Sequence, residues 1–456
     1  MEDTDTICAI STPVGQGGIG IVRLSGPQAH NITKSIFRCR RQVTSFEPRT
    51  LYLGEIIDLH RRAPVDEVFV FFANAPGTYT REDMAEIHTH GGYAVQRKIL
   101  SLVIESGARP AQAGEFTKRA FLNGRIDLLQ AESVIDIIQS ETDEELFSAM
   151  KSLNGMLSER IRAFQDGIRE ALAGIEAMIE FPDEELGLTL NRVTDPLQNV
   201  CTGIDELVES YYQGQGIRQG FQILITGKVN VGKSSLLNAL LLKERAIVTD
   251  VPGTTRDLIE DTIYIGGMKM RLVDTAGIRE PDNIVEEEGL RKVQTKIPES
   301  DLIIWVLDGS QPYDSDDERV FASIKDQPIL PVVNKTDLPH KLDYNRIPQK
   351  CREPIEISAL THQGLNKLRQ VMTAHFTSNE NVQQNSLLLT NVRHRDVLQK
   401  TSEGIHRTIL LAGQDEPLEI VAFELRESLN YLAEITGEVY NDQILEDIFS
   451  RFCIGK

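Results

Sequence analysis

Residues 227–234 read Gly-Lys-Val-Asn-Val-Gly-Lys-Ser and match the phosphate-binding pattern G-x-x-x-x-G-K-[ST]. An apolar run of strand length, 221–226, precedes them, and a run of helix formers, 235–241, follows. A glycine-rich turn between a strand and a helix points backbone N–H groups inward, and the helix N-terminus favours phosphate there. The pattern therefore predicts that Lys233 neutralises β- and γ-phosphate oxygens and that the Ser234 hydroxyl holds Mg²⁺.

Four further elements follow this loop in the order typical of GTP-binding domains. Residues 253–257, Gly-Thr-Thr-Arg-Asp, supply a threonine that can close on Mg²⁺ and the γ-phosphate. Residues 274–277, Asp-Thr-Ala-Gly, follow an apolar strand, so Asp274 is expected at the strand end near the metal. Residues 334–337, Asn-Lys-Thr-Asp, follow another apolar strand and are predicted to recognise the nucleotide base. Residues 358–360, Ser-Ala-Leu, are predicted to pack behind that base.

The base-recognition motif at 334–337 predicts selectivity for guanine. The Asp337 carboxylate can accept hydrogen bonds from N1–H and the 2-amino group of guanine together. Adenine lacks both donors, so its binding would leave a desolvated charge unpaired at a cost of about 1–3 kcal/mol or more. The predicted contacts with GTP are Gly227, Asn230, Val231, Gly232, Lys233, Ser234, Ser235, Thr249, Thr254, Thr255, Asp274, Thr275, Ala276, Gly277, Asn334, Lys335, Asp337, Ser358 and Ala359.

The residues that assist hydrolysis differ from those of Ras-like switches, in which a glutamine after the D-x-x-G glycine orients water. Ile278 occupies that position and cannot do so. Glu286 is near enough in sequence to take the role, although an exposed helix start explains the acidic segment 286–288 equally well. The Asn230 amide oxygen suits a bound monovalent cation, and its alternative role is turn formation.

Composition sets the broad class. The 456 residues predict two to four domains, and the net charge of −20 leaves room only for a local basic patch. Five scattered cysteines indicate reduced thiols rather than a disulfide or zinc framework. The first residues are acidic rather than basic, and no apolar run has membrane-spanning length, so we expect a cytoplasmic protein that does not contact a membrane.

The periodicity predicts a multidomain α/β chain. An N-terminal α+β domain, with strands near 6–10, 19–24, 51–57 and 65–72 and helices near 29–37 and 93–106, precedes helical sequence at 127–179, 197–211, 390–411 and 417–452. One helical bundle with a Ras-like P-loop GTPase domain inserted in it, a mostly parallel sheet flanked by helices, fits this order best, and two small bundles are the alternative. The predicted domains are 1–124, 125–217, 218–378 and 379–456.

Three further segments carry a resemblance to a known family. Residues 79–83 read Tyr-Thr-Arg-Glu-Asp, residues 114–123 read Gly-Glu-Phe-Thr-Lys-Arg-Ala-Phe-Leu-Asn, and residues 453–456 read Cys-Ile-Gly-Lys. With the GTPase elements, they make the whole chain resemble the tRNA modification GTPase family MnmE, also called TrmE. The resemblance implies a homodimer joined through residues 1–124, which would bind a tetrahydrofolate derivative, 5-formyl- or 5,10-methylene-tetrahydrofolate.

The resemblance also implies a partner and a reaction. Potassium-dependent dimerisation of the GTPase domains would activate hydrolysis. The FAD protein MnmG (GidA) would form a heterotetramer with the chain and make most of the contacts with tRNA. Together they would add an aminomethyl or carboxymethylaminomethyl group to carbon 5 of the wobble uridine of certain tRNAs.

Roles carry over from the family position by position. The K⁺ contacts would be Asn230, Thr249, Val251 and Thr254, the Mg²⁺ ligands Ser234 and Thr255, the catalytic residue Glu286, and the folate contacts Arg23, Glu82, Arg125 and Lys456. Three departures from the family pattern are Arg125 for a common lysine, Arg81 for a usual glycine and Val229 for a frequent proline.

Several alternatives remain open at this point. A regulatory GTPase of ribosome assembly would share the nucleotide motifs, and a scaffold would use nucleotide only to hold its fold. Arg256 and Arg279 are alternatives to K⁺ as the source of the positive charge that assists hydrolysis. The C-terminal segment 453–456 either packs on the bundle or reaches the folate pocket, and packing is the first expectation for Cys453.

Overall fold

The computed structural model describes residues 5–13, 15–181, 189–241, 260–274, 296–377, 387–414 and 416–456. They fall into two compact units, the first from Met1–Gln139, Ala149–Cys201 and Lys400–Lys456, the second from Ser140–Ser148 and Thr202–Gln399. The chain therefore leaves the first unit, forms most of the second and returns. The four domain boundaries given above stay a prediction.

The strands in chain order are β1 Ile7–Ile10, β2 Gly17–Ser25, β3 Phe37–Cys39, β4 Leu51–Asp58, β5 Ala63–Ala73, β6 Met84–Gly91, β7 Arg109–Pro110, β8 Phe221–Thr226, β9 Glu260–Ile265, β10 Met268–Asp274, β11 Leu302–Asp308, β12 Ile329–Asn334 and β13 Ile355–Glu356. The described helices are α1 Ala29–Ile36, α2 Tyr93–Glu105, α3 Glu115–Leu122, α4 Leu128–Gln139, α5 Asp143–Leu153, α6 Met156–Glu180, α7 Leu190–Glu209, α8 Tyr211–Gln219, α9 Lys233–Leu241, α10 Ser315–Ile324, α11 Leu365–Thr377, α12 Val392–Ala412, α13 Leu418–Thr436 and α14 Asp442–Phe449.

The first unit contains a seven-stranded sheet in the order β3-β4-β5-β6-β2-β1-β7. Neighbouring strands are antiparallel except β1 and β7, which are parallel. Side chains alternate between the faces of a strand, so Val22 and Leu24 of β2 point to one buried side, where Ile99 and Val103 of α2 join the same core. The predicted α+β domain is confirmed.

The helices of the first unit come from both sides of the long segment that forms most of the second unit. Helix α13 packs against α6 and α4, and ion pairs join Arg426 to Glu176 at 2.7 Å and Arg169 to Glu438 at 3.2 Å. The prediction of one bundle built from both flanks is therefore confirmed.

Two helix boundaries differ from the predictions. Helix α7 begins at Leu190 and carries Pro196 inside it, whereas the predicted helix began near 197. The stretch 417–452 is two helices, because Gly437 adopts a left-handed φ of 81° and its N–H caps the carbonyl of Ala433.

The second unit contains a six-stranded sheet in the order β13-β12-β11-β8-β10-β9. It is parallel except for β9, which runs antiparallel to β10. Strand β11 is buried along its length: Ile304 and Val306 join the core on one face, and Trp305 and Leu307 join the core on the other. Such double burial is typical of a parallel sheet covered by helices, so the predicted mostly parallel sheet flanked by helices is confirmed. Among the described helices, none is both long and apolar enough to cross a membrane.

Candidate functional site

The parallel strands bring the nucleotide motifs to one edge of the sheet. Strand β8 leads into the phosphate-binding loop, and β10 ends at Asp274, which lies opposite Ile225 of β8. Strands β11 and β12 end side by side at Asp308 and Asn334. Because ligands of open α/β sheets bind beyond the carboxyl ends of the strands, this edge is the candidate nucleotide site.

The phosphate-binding loop needs glycine at two positions. A Cβ on Gly227 would lie 2.4 Å from the Val306 carbonyl oxygen, and a Cβ on Gly232 would lie 2.3 Å from the Asn334 side-chain nitrogen. Gly232 also adopts a φ of 97°, which favours glycine. Both glycines therefore let the loop lie directly against the strands that carry the other motifs.

The loop folds around Lys233. Its Nζ donates to the carbonyl oxygens of Gly227 at 2.9 Å and Lys228 at 2.8 Å. Ser234 and Ser235 are exposed at the start of α9. Lys233, Ser234 and Ser235 are therefore consecutive residues at the N-terminus of α9, the position that phosphate and Mg²⁺ binding require.

Asn334 ties three loops together. Its side chain is buried, donates from Nδ2 to the Val231 carbonyl at 2.9 Å and accepts on Oδ1 from the Ala359 N–H at 3.0 Å. Beside it, Ser358 donates from Oγ to Asp337 Oδ1 at 2.6 Å. The predicted base-reading residues therefore lie next to the phosphate-binding loop.

Lys335 adds a second link to the same loop. Its Nζ donates to the Asn230 carbonyl oxygen and to Asp308 Oδ2, each at 2.7 Å. Burial would raise the pKa of Asp308, but hydrogen bonds from Lys335 and Ser310 outweigh burial and lower it. The ionised Asp308 therefore holds the lysine against the loop.

A third link was not predicted from the sequence. Lys228 Nζ lies 2.9 Å from both Asp314 and Asp317, and Asp314 also caps α10. Burial would lower the pKa of Lys228, but its hydrogen bonds to the two carboxylates outweigh burial and raise it. Asp314 and Asp317 are three residues apart at the start of α10, which is the spacing of a capping box. No sequence pattern links either of them to Lys228.

Some predicted site residues fall outside the described part of the chain. They are Thr249, Val251, Thr254, Thr255, Thr275, Ala276, Gly277 and Glu286, together with Arg256, Ile278 and Arg279. Asp274 is placed by its backbone at the end of β10. The roles assigned to all of these residues stay predictions.

The first unit holds a second candidate site, a cavity of about 790 Å³. Three of the four residues predicted to contact a folate, Arg23, Arg125 and Lys456, line it, and so do Arg49 and Glu86. Sequence reasoning missed the last two. Glu86 alternates with Met84, another lining residue, along β6, and this spacing of two is the signal that places both on one face.

Arg23 and Glu86 form a cross-strand pair in this cavity. They lie opposite each other on β2 and β6, and Arg23 Nε is 2.8 Å from Glu86 Oε1. His88 lies 3.3 Å from the other carboxylate oxygen. The hydrogen bond with His88 and the charge of Arg23 lower the pKa of Glu86 despite its burial, so the cavity contains an ionised acceptor.

Glu82, the fourth predicted folate contact, is not among the residues that line this cavity. Its carboxylate accepts hydrogen bonds from Ser25 Oγ at 2.6 Å and from Arg119 Nη1 at 3.1 Å. Arg119 is buried and also pairs with Glu115. Glu82 therefore belongs to an internal ionic network, and its contact with a folate stays a prediction.

The C-terminal segment docks against the N-terminal sheet. Ile454 bridges Ala113, and a Cβ on Gly455, whose φ is 98°, would lie 2.4 Å from the Ile10 carbonyl oxygen. Phe452 is buried, whereas Cys453 is exposed. The glycine therefore permits the close approach that carries the chain on to Lys456 at the cavity.

Comparisons with known proteins place this chain among tRNA modification GTPases of one family. The family described as "MnmE helical domain" matches residues 128–453, and the family described as "GTP-binding protein TrmE N-terminus" matches residues 6–125. The chain is 46% identical over 458 residues to the tRNA modification GTPase MnmE of Geobacter metallireducens, covering 99% of each protein. It is 40% identical over 462 residues to that of Geobacillus kaustophilus, covering 100% of each. A crystal structure of Aquifex aeolicus Era bound to GDP and aluminium fluoride is 23% identical and covers 40% of this chain and 66% of that chain, with a TM-score of 0.26.

Proposed function

This chain belongs to the MnmE family of tRNA modification GTPases, and from that premise we propose how its two candidate sites contribute to the reaction. The chain is a GTPase that acts in tRNA modification and uses GTP and Mg²⁺. The finer proposal assigns GTP hydrolysis to the edge of the six-stranded sheet and one-carbon binding to the cavity of the first unit. The product is an aminomethyl or carboxymethylaminomethyl group on carbon 5 of the wobble uridine.

The chemistry of the cavity supports a tetrahydrofolate derivative. Phe71, Met84 and Val134 offer apolar surface to a flat ring, and the ionised Glu86 can accept from ring N–H groups. The cavity is also lined by cationic residues, which can bind the carboxylates of the folate's glutamate. They include Arg23, Arg125 and Lys456. The folate would supply the one-carbon unit, while these residues bind and orient it.

At the nucleotide site we assign phosphate binding to the loop from Gly227 to Ser234 and base recognition to Asp337. The bond from Ser358 fixes one oxygen of the Asp337 carboxylate, which orients the group for guanine. Competition between GTP and ATP tests this directly. The wild-type protein should prefer GTP strongly, and Asp337→Asn should lose most of that preference. Equal affinity of the wild type for both nucleotides would contradict the assignment.

We further propose that K⁺ at Asn230 activates hydrolysis in a dimer of GTPase domains. Asn230 is exposed with a φ of 64°, and its carbonyl oxygen already accepts a hydrogen bond from Lys335, so the proposal assigns the K⁺ contact to its side-chain oxygen. Turnover should be faster in KCl than in NaCl at equal ionic strength. Equal rates in the two salts, with a collapse in Arg256→Ala, would assign the charge to the arginine instead.

Glu286 is proposed to position the attacking water. Glu286→Ala should leave GTP affinity near normal while turnover falls about 10²–10⁴-fold, the range expected on loss of a general base. Unchanged turnover would return Glu286 to the role of a surface residue.

The proposed partners are a second copy of the chain, joined through residues 1–124, and the FAD protein MnmG in a heterotetramer that carries most of the tRNA contacts. The observation that carries the whole proposal is the cavity that gathers Arg23, Arg125 and the C-terminal Lys456 in a chain of this family. Mass spectrometry of wobble uridines in cells that lack the protein is the test. The carbon-5 group should disappear and return with the wild-type protein. Normal modification with a ribosome-assembly defect would favour a regulatory GTPase.

A further inference from the structure

The cations around the cavity of the first unit differ in what neutralises them. Arg23 is paired with Glu86 at 2.8 Å. Arg49, Arg81 and Arg125 line the same cavity, are exposed at its rim, and form no ion pair with any residue in the described ranges. In a chain with a net charge of −20, three uncompensated guanidinium groups around one concavity create a local attraction for anions.

Backbone oxygens hold two of these side chains in place. Arg49 Nη2 donates to the Gly77 carbonyl at 3.0 Å, and Arg81 Nη1 donates to the Asn123 carbonyl at 2.9 Å. A guanidinium has five N–H donors, so each keeps most of its donors available to a ligand. Both residues also adopt left-handed φ values, 61° and 59°, which non-glycine residues seldom adopt.

Arg125 is positioned in a similar way. Its guanidinium lies 4.6 Å from the centre of the Tyr79 ring, and Nη1 donates to the Tyr79 carbonyl at 3.3 Å. Stacking on an aromatic face orients the planar group without neutralising its charge. All three arginines are therefore oriented by neutral partners.

We propose that Arg49 and Arg81, beside the folate contact Arg125, form a subsite for the γ-linked polyglutamate tail of a folate. The inference rests on the proposed function of the cavity and adds that the bound folate carries a polyglutamate tail. Each further glutamate of such a tail presents one more carboxylate, and guanidinium groups match carboxylates through paired hydrogen bonds. The tail of a folate bound in the cavity would extend outward across the rim. Separate guanidinium groups at the rim can then each bind a carboxylate of this short, flexible polyanion. RNA phosphates on this rim are the competing interpretation.

The expected gain follows from the exposure of the arginines. Exposed ion pairs contribute modestly, and two or three of them together correspond to about a 3- to 30-fold gain in affinity. The same exposure makes the gain dependent on salt, because added ions screen charges at the rim more than groups inside the cavity.

Isothermal titration of the full-length protein with the monoglutamate and pentaglutamate forms of 5-formyl-tetrahydrofolate tests the proposal. The pentaglutamate should bind about 3- to 30-fold more tightly, and the difference should shrink as KCl is raised. Arg49→Gln and Arg81→Gln should each weaken the pentaglutamate more than the monoglutamate. Arg41→Gln, an exposed arginine outside the cavity lining, is the matched control and should keep the full difference.

The outcomes separate this inference from the function on which it rests. Binding of both folates with equal affinity, or a preference unchanged in both variants, would overturn the subsite and leave the folate assignment in place. If neither folate bound, the folate assignment would fail, and a free γ-linked tetraglutamate would test the rim alone. No binding of that probe would overturn the subsite as well. A loss of tRNA affinity in the variants with an unchanged tail preference would assign the rim to RNA and also overturn it.

Discussion

Replacing Asn334 with alanine should destabilise the second unit severely. The substitution removes the donor to the Val231 carbonyl and the acceptor of the Ala359 N–H, whose bonds are 2.9 and 3.0 Å long. Asn334, Val231 and Ala359 are all buried, so two main-chain groups would lose their partners without ready access to water. Each unsatisfied buried group costs about 1–3 kcal/mol, which gives a loss of about 2–6 kcal/mol for the pair.

Urea unfolding followed by tryptophan fluorescence measures this loss. The chain has one tryptophan, Trp305, which is fully buried in β11 beside the strand that ends at Asn334. The emission therefore reports on the second unit alone, and the change in midpoint at a constant slope gives the change in the free energy of unfolding. Asn366→Ala, on the exposed face of α11, is the control and should change it by less than about 0.5 kcal/mol. A loss for Asn334→Ala as small as that of the control would refute the role assigned to this side chain.

Three further predictions concern Lys228, the cysteines and the C-terminus. Lys228→Met should lower the free energy of unfolding by about 1.5–3 kcal/mol in the same urea titration, because it leaves the buried Asp317 carboxylate without its cation, whereas Lys228→Arg should retain most of the stability; equal effects of the two variants would contradict the ion pair. In a brief iodoacetamide pulse read by mass spectrometry, Cys453 should be alkylated much faster than Cys8, because Cys453 is exposed and burial raises the pKa of Cys8 to about 12. Equal rates would contradict the burial of Cys8 and the exposure of Cys453. Deletion of residues 453–456 should spare GTP hydrolysis and abolish the wobble-uridine modification, and normal modification by the truncated protein would reduce the tail to ordinary packing.

Much of the fold could be predicted because local patterns and tertiary structure agree. The apolar run 221–226 and the motif at 227–234 became β8 and the loop before α9, and strands β10 and β12 end at the Asp274 and Asn334 motifs. The predicted start of helix α7 near 197 was wrong. Pro196 lies inside α7, because the packing of the helix outweighs one missing backbone donor.

The candidate sites were less predictable, because their decisive contacts join residues far apart in the chain. The partners of Lys228 lie 86 and 89 residues away, and no local spacing links them. Arg49 reaches the cavity because its strand-flanking segment lies against Gly77, which is again a tertiary event. Glu86 could have been predicted from the alternation of side chains along β6, which places it on the same face as Met84. A charged residue on the buried face of a strand needs a partner or a ligand.

The most direct test of the account is an isotope-transfer measurement. The protein is combined with the proposed FAD-dependent partner, GTP, Mg²⁺, K⁺, undermodified tRNA and a tetrahydrofolate whose one-carbon unit carries ¹³C. Wobble nucleosides are then analysed by mass spectrometry. The account predicts that the group added to carbon 5 of the wobble uridine carries the label, and that omission of GTP reduces its formation. Full modification without the label would contradict the claim that the cavity supplies the carbon from a bound folate.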